Sequence, residues 1–142
     1  MVKEERSAGA VVFYVEKGEP LYLLLHYPRG HLDFPKGNIE PGEKEEETAL
    51  REVKEETGLD VELIPGFRET IRYFYKLHGE TIRKTVVFFL ARSYSKDVKI
   101  SWEHKGYYWF PYHKAIKEVT FPSTREVLKK AHNFLNFFGY IQ

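Results

Sequence analysis

Apolar residues recur along this chain with two different periods, and the switches between them outline its elements. Ser7 to Tyr14 and Leu21 to Tyr27 are short runs rich in β-branched, aromatic and aliphatic side chains. The turn sequence Lys17-Gly18-Glu19-Pro20 joins them, which predicts a β-hairpin. Residues 28–42 hold three prolines and three glycines and predict a loop, with a short strand over Leu32 to Pro35. The period then lengthens. From Glu43 to Thr57 the spacing predicts a helix whose apolar stripe is Ala49, Leu50 and Val53, flanked by Thr57. Gly58 stands where such a helix ends in a left-handed residue. Val61 to Leu77 and Thr81 to Ser93 return to β-rich composition, with His78-Gly79-Glu80 as a hairpin loop between them. Gly106 to Pro111 predicts another strand and Tyr112 to Glu118 a short helix. A last helix opens on Ser123, with Glu126 completing a capping box, and buries Val127, Leu128, Ala131, Leu135 and Phe138. There is no internal repeat, low-complexity tract or linker. The expected fold is α/β (α+β), a single domain over residues 1–142 with a mixed β-sheet sandwiched between α-helices.

The polar side of the first helix is unusual. Glu52, Glu55 and Glu56 sit at i, i+3 and i+4, so they share one face. Three like charges on one face repel one another, and the helix gains nothing from them. A divalent metal would remove that repulsion, because hard cations prefer carboxylate oxygens. A glutamate run is usually a solvated helix surface, since glutamate favours helices.

Composition narrows the setting. The 142 residues can bury roughly 70% of the surface that the unfolded chain exposes. Apolar content of 42%, charged content of 30% and a net charge of +1 fit a globular protein and argue against a nucleic-acid or membrane surface. With no cysteine, disulfides, thiolate metal sites and cysteine nucleophiles are excluded. The N-terminal run mixes charges with apolar residues and shows no cleavage-site pattern, and the apolar run from Val86 to Ala91 is too short to span a bilayer. The expectation is a cytoplasmic protein. Ten tyrosines and eleven phenylalanines are a high load, enough to serve both a core and a flat ligand.

Read strictly, residues 37–59 run Gly37, five residues, Glu43, seven residues, then Arg51-Glu52-Val53-Lys54-Glu55-Glu56-Thr57-Gly58-Leu59. Every fixed position of the Nudix box, G-x5-E-x7-R-E-U-x-E-E-x-G-U with U a bulky apolar residue, is met. The chain therefore resembles the Nudix hydrolases. That resemblance implies the Nudix fold. It also implies hydrolysis of a nucleoside diphosphate linked to another group, with Mg2+ or Mn2+ as cofactor. By the same resemblance Glu52, Glu55 and Glu56 hold metal and orient or deprotonate water, and the backbone carbonyl of Lys36 is a further ligand. Gly37, Glu43, Arg51 and Gly58 are structural, with Glu43 and Arg51 an ion pair fixing the loop to the helix. Which glutamate acts as base stays open.

Outside the box, Phe34-Pro35-Lys36-Gly37, Gly66-Phe67, Lys84-Thr85-Val86, Ser101-Trp102-Glu103-His104 and Tyr108-Trp109-Phe110 resemble the asymmetric diadenosine tetraphosphate hydrolases in order and spacing. This second resemblance implies cleavage of the dinucleotide to ATP and AMP. Lys36 and Lys84, with His31, are the expected phosphate donors along a polyphosphate of about four negative charges. Glu103 is the expected additional metal or water-activating glutamate. Tyr75 and Phe121 are the expected adenine stackers, with Tyr73 the rival to Tyr75. Trp102 and Trp109 are assigned to packing. The partner is a small-molecule nucleotide. The alternatives are a Nudix enzyme acting on RNA 5′ ends, diphosphoinositol phosphates or nucleoside triphosphates, or a Nudix-fold nucleotide sensor without turnover.

Overall fold

The computed structural model describes residues 2–141. In chain order its elements are β1 (Val2–Glu16), β2 (Glu19–His26), β3 (Leu32–Asp33), β4 (Lys36–Asn38), α1 (Glu45–Thr57), β5 (Val61–Leu63), β6 (Glu69–Leu77), β7 (Glu80–Ser93), β8 (Gly106–Pro111), α2 (Tyr112–Glu118) and α3 (Pro122–Phe137). The eight strands form one mixed sheet. Its spine is the parallel pair β1 and β7, in register from Val2 opposite Thr81 to Phe13 opposite Arg92. Strands β2 and β4 run antiparallel to β1, β5 and β6 antiparallel to β7, and β3 and β8 antiparallel to β2.

Both faces of the spine are covered, which explains why its strands read as nearly continuous apolar runs. Alternate residues point to opposite faces. Val11, Phe13, Tyr22, Leu24, Val86, Phe88 and Leu90 pack against Ala115 of α2 and Val127, Leu128, Ala131 and Leu135 of α3. Their neighbours Ala10, Val12, Leu23, Leu25 and Ala91 pack against Val53 of α1, while Ala8, Val87 and Phe89 pack against Ala49. The sheet thus lies between α1 on one side and α2 with α3 on the other, as expected. Among the described residues no helix is long and apolar enough to cross a membrane.

Several boundaries differ from the sequence expectation. The helix α1 begins at Glu45, with Lys44 in an extended conformation as N-cap and its N–H donated to the Glu47 carboxylate at 2.8 Å. Glu43 lies ahead of the helix, where its carboxylate accepts from Arg51 Nε at 2.7 Å. Leu50 is 39% exposed and does not belong to the buried stripe, which is Thr48, Ala49, Val53, Glu56 and Thr57. The helix is rotated so that part of its acidic face turns inward. The run from Val61 to Leu77 is two strands, broken at Pro65-Gly66, and they pair with opposite ends of β7. The hairpin turns are tight two-residue types, with positive φ at Lys17 and Gly18 and at His78 and Gly79, which suits the twist of the strands they join. Helix α3 starts on Pro122 with Phe121 as N-cap, so Ser123 is inside the helix and not its cap. Proline is favoured at that first position because its φ is preset and its missing N–H would be unsatisfied anyway. Phe138 follows the last helical residue and is 59% exposed, so it is not on the buried side.

Candidate active site

The acidic face of α1 meets β4 at Gly37. A Cβ built on Gly37 would lie 2.0 to 2.3 Å from the carboxyl atoms of Glu52, so any other residue here would displace that carboxylate. Glu56 is buried at 8% exposure. It accepts the backbone N–H of Lys36 at 2.9 Å and faces Nε2 of His104 at 3.3 Å. The other ring nitrogen of His104 is 3.0 Å from Ser101 Oγ. Arg51 is the hub of the remaining carboxylates. Its Nε and Nη2 fork onto Glu43 at 2.7 and 2.9 Å, and its Nη1 donates to Glu52 at 2.8 Å and Glu55 at 3.2 Å. Nη2 also donates to the Asn38 carbonyl at 3.1 Å, tying β4 to the helix.

The electrostatics separate these carboxylates into two kinds. The Arg51 hydrogen bonds, helped by Thr48, hold Glu43 down at a pKa of about 2, which fits an internal ion pair. Burial pushes Glu52 up, and the neighbouring charge of Glu56 pushes it further, against Arg51. Burial pushes Glu56 up as well, against His104 and the Lys36 N–H. These are two adjacent carboxylates whose ionisation the protein alone does not fully support.

They border a groove, a cavity of about 480 Å³ that also reaches Glu55, Glu103, Lys36, Lys84 and Ser101. Lys36 Nζ donates to the buried Asp33 at 2.8 Å and lies 4.9 Å from the centre of the Tyr27 ring. Lys84 Nζ donates to Glu5 and, at 3.0 Å, to Asn38 Oδ1. Glu103 is exposed on the groove wall. Among the described residues no three His, Asp or Glu side chains converge as a ready-made cation cage, and Arg51 holds oxygens of both Glu52 and Glu55. The donor chemistry still suits a hard divalent cation. It is all oxygen and includes two carboxylates whose charge burial opposes and a cation would support. The Lys36 backbone is hydrogen-bonded to Glu56, which puts its peptide beside that set.

A second, more apolar cavity of about 460 Å³ adjoins the groove and shares Tyr27, Lys36 and Tyr73 with it. Ile71, Tyr73, His31 and Phe121 line it. Tyr75 is outside this lining. Its hydroxyl donates to Glu5 at 3.0 Å, beside Lys84. Tyr73 and Tyr75 alternate on one strand face with ring centroids 6.3 Å apart, and Tyr73 is the one that shares the slot with Phe121. His31 stacks on Tyr27 at 4.7 Å and lies 5.2 Å from Phe121. Burial and the nearby Lys36 lower its pKa, which favours the neutral ring in the slot wall.

The sequence reading missed Tyr27, which borders both cavities, and the partners Asp33, Asn38 and Glu5 that orient the two lysines. Only the Asp33–Lys36 spacing offered a signal. Trp109 donates its ring N–H to Lys96 O at 3.2 Å and packs edge-on to Tyr14, in line with a structural role. Trp102 does not fit packing, since 91% of it is exposed.

Comparisons with known proteins agree with one another. A family model for the NUDIX domain matches residues 3–131. The chain is 36% identical to the asymmetrical bis(5′-nucleosyl)-tetraphosphatase of Mus musculus, covering 92% of this chain and 95% of that protein. Identity to the Sus scrofa protein of the same name is 34% over the same shares. Among solved structures, a binary complex of a C. elegans Ap4A hydrolase superimposes with a TM-score of 0.82 at 33% identity, covering 93% of this chain and 98% of that one.

Proposed function

The chain belongs to the Nudix hydrolase family, and on that footing we propose that it cleaves dinucleoside polyphosphates, with diadenosine tetraphosphate giving ATP and AMP. The observation that carries this reading is the continuity of two unlike cavities. An acidic groove flanked by Lys36 and Lys84 opens into an apolar slot bounded by Tyr73 and Phe121, so a charged phosphate chain and a flat base can be held by one surface. The tetraphosphatases to which the chain is similar act on a molecule with both parts.

In this reading Glu52, Glu55, Glu56 and Glu103, with the Lys36 carbonyl, hold Mg2+ or Mn2+, which supplies charge neutralisation on the phosphate oxygens and lowers the pKa of water. The chain's own residues do the rest. Gly37 leaves the space that Glu52 fills, and the Lys36 N–H with His104 fixes the rotamer of Glu56. Lys36 and Lys84 leave Asp33 and Glu5 in part to meet phosphate oxygens. Tyr73 and Phe121 stack the base, and His31 closes the slot as a neutral ring. Water oxygen bonds to phosphorus, the bridging P–O bond breaks toward the leaving phosphate, and the water proton passes to a carboxylate of the groove.

A substrate panel with product identification tests the proposal. We expect kcat/KM to be highest for diadenosine tetraphosphate among that dinucleotide, 5′-triphosphorylated RNA, a diphosphoinositol phosphate and a nucleoside triphosphate, with ATP and AMP as products and magnesium required. Glu56→Gln should lose about a hundred-fold or more in kcat. A higher kcat/KM for RNA or a free nucleotide would sink the substrate assignment, and tight binding without magnesium-dependent turnover would point to a sensor.

A further inference from the structure

We propose that Trp102 is the platform for the second base of the substrate, the base at the far end of the polyphosphate from the Tyr73–Phe121 slot. This rests on the dinucleotide reading of the site. Tryptophan is highly buried on average, and a nearly bare indole on a surface is a feature that needs a reason. With 91% of its surface exposed, Trp102 contributes almost nothing to the core. Nor does the loop need it. His104 donates its N–H to the Ser101 carbonyl at 3.1 Å, so Trp102 and Glu103 are the two central residues of a turn. Turn centres favour glycine, proline, asparagine and aspartate, and tryptophan has no geometric role there.

The turn is nevertheless held firmly. Ser101 N–H donates to Glu56 O at 3.1 Å, Lys105 N–H to His26 O at 2.8 Å, and His104 is buried against Glu56 and edge-on to Tyr27. The exposed indole is therefore mounted on a fixed support, and that support is wired to the catalytic helix. It borders a third cavity of about 420 Å³ with Pro28, Tyr27 and Lys105. This cavity joins the groove at Glu103, whereas the Tyr73–Phe121 slot joins it at Lys36 and Tyr73. Tyr27 borders all three. A groove with one apolar slot at its lysine side and a flat aromatic face with a lysine beside it at the Glu103 side matches a molecule with a base at each end of a phosphate chain. Stacking on an exposed indole tolerates any base, because every base offers a π-face. Specificity would then reside in the enclosed slot and reach in the Trp102 platform.

The test compares two substrates with the same phosphate chain, diadenosine tetraphosphate and adenosine 5′-tetraphosphate, and reads the ratio of their kcat/KM values. Trp102→Ala should lower that ratio about ten-fold, the loss expected of one base stack, and Trp102→Phe should restore most of it. An unchanged ratio, whether or not both values fall, overturns the proposal and leaves Trp102 as a support for Glu103. A second readout is independent of turnover. In a Trp109→Phe protein, Trp102 is the sole tryptophan, and its fluorescence should be quenched on rapid mixing with the dinucleotide and much less with adenosine tetraphosphate. Equal quenching by both also overturns the proposal. A wild-type protein that fails to hydrolyse the dinucleotide refutes the substrate reading instead, and the fluorescence arm still decides the contact.

Discussion

At the scale of single residues the site depends on a contact that a side chain would forbid. Gly37 has no unusual backbone conformation, yet a methyl group on it would lie 2.0 Å from the Glu52 carboxyl carbon. Moving Glu52 aside would take with it the oxygen that Arg51 holds at 2.8 Å while also gripping Glu43 and Glu55. Gly37→Ala should therefore disturb the whole acidic set. We expect kcat/KM to fall about ten- to hundred-fold, the range for disturbing the support of a metal site. The helical circular dichroism should stay, since the clash is with a carboxylate at the rim and not with the core. Wild-type turnover in the alanine variant would refute the steric account. The glycine was visible in the sequence as a fixed position of the Nudix box, but its reason was not, because the neighbour it makes room for is on another element. The same limit explains Tyr73 and Tyr75. Alternation puts both on one face of β6, and only the register, Tyr73 opposite Lys84 and Tyr75 opposite Ile82, decides which one shares a cavity with Phe121. Glu52, Glu55 and Glu56 were legible because they are close in sequence; Tyr27 was not, because its relation to the site is through space, and for Asp33 only the spacing to Lys36 gave a signal.

At the scale of elements, α1 is positioned by how it stops. Gly58 has φ of 74° and returns its N–H to Lys54 O at 2.9 Å, closing the helix. Thr57 then presents its carbonyl to the N–H of Lys99, and Glu56 its carbonyl to the N–H of Ser101, so the helix end anchors the segment that carries Trp102 and Glu103. The space around Gly58 is open enough for a methyl group, with Lys99 Cβ the nearest atom at 3.5 Å. Gly58→Ala thus isolates the conformational cost of a left-handed residue, about 1–2 kcal/mol. Urea titration should show a lower midpoint with an unchanged m-value, and an unshifted midpoint would show that this termination carries no strain. That helix end was legible because glycine after an amphipathic run is a local signal. The errors at this scale come from competing local signals. Ser123 with Glu126 reads as a capping box, but Pro122 starts the helix two residues before that cap would allow. The β-rich composition on both sides of Pro65-Gly66 hides the break that sends β5 and β6 to different stretches of β7.

At the scale of the whole molecule, a net charge of +1 conceals a local imbalance. Its cations are largely committed: Lys36 to Asp33, Lys84 to Glu5, Arg51 to the glutamates around it. Glu52 and Glu56 are left with raised pKa values, from burial first in each case. The consequence for folding has a definite sign. Between the ordinary carboxylate value of 4.5 and their raised values, the folded chain holds more protons on these two groups than the unfolded chain does. Their contribution to stability is therefore present below that window and lost as pH rises through it. Glu43, lowered to about 2, acts oppositely: its contribution is present above 4.5 and lost as pH falls toward 2. A divalent cation that binds only the ionised groove should reverse the first effect. We expect the melting temperature in EDTA to decline as pH is raised above the carboxylate range. Added magnesium should increase it, with a gain that grows with pH and reaches about 2.7 kcal/mol at roughly a hundred-fold excess over Kd. Because the effect requires these two carboxylates, a Glu52→Gln, Glu56→Gln double variant should lose both the decline and the magnesium gain. A magnesium gain that is independent of pH, or that survives the double substitution, would place the cation elsewhere and remove the physical reason for crowding charge on this helix.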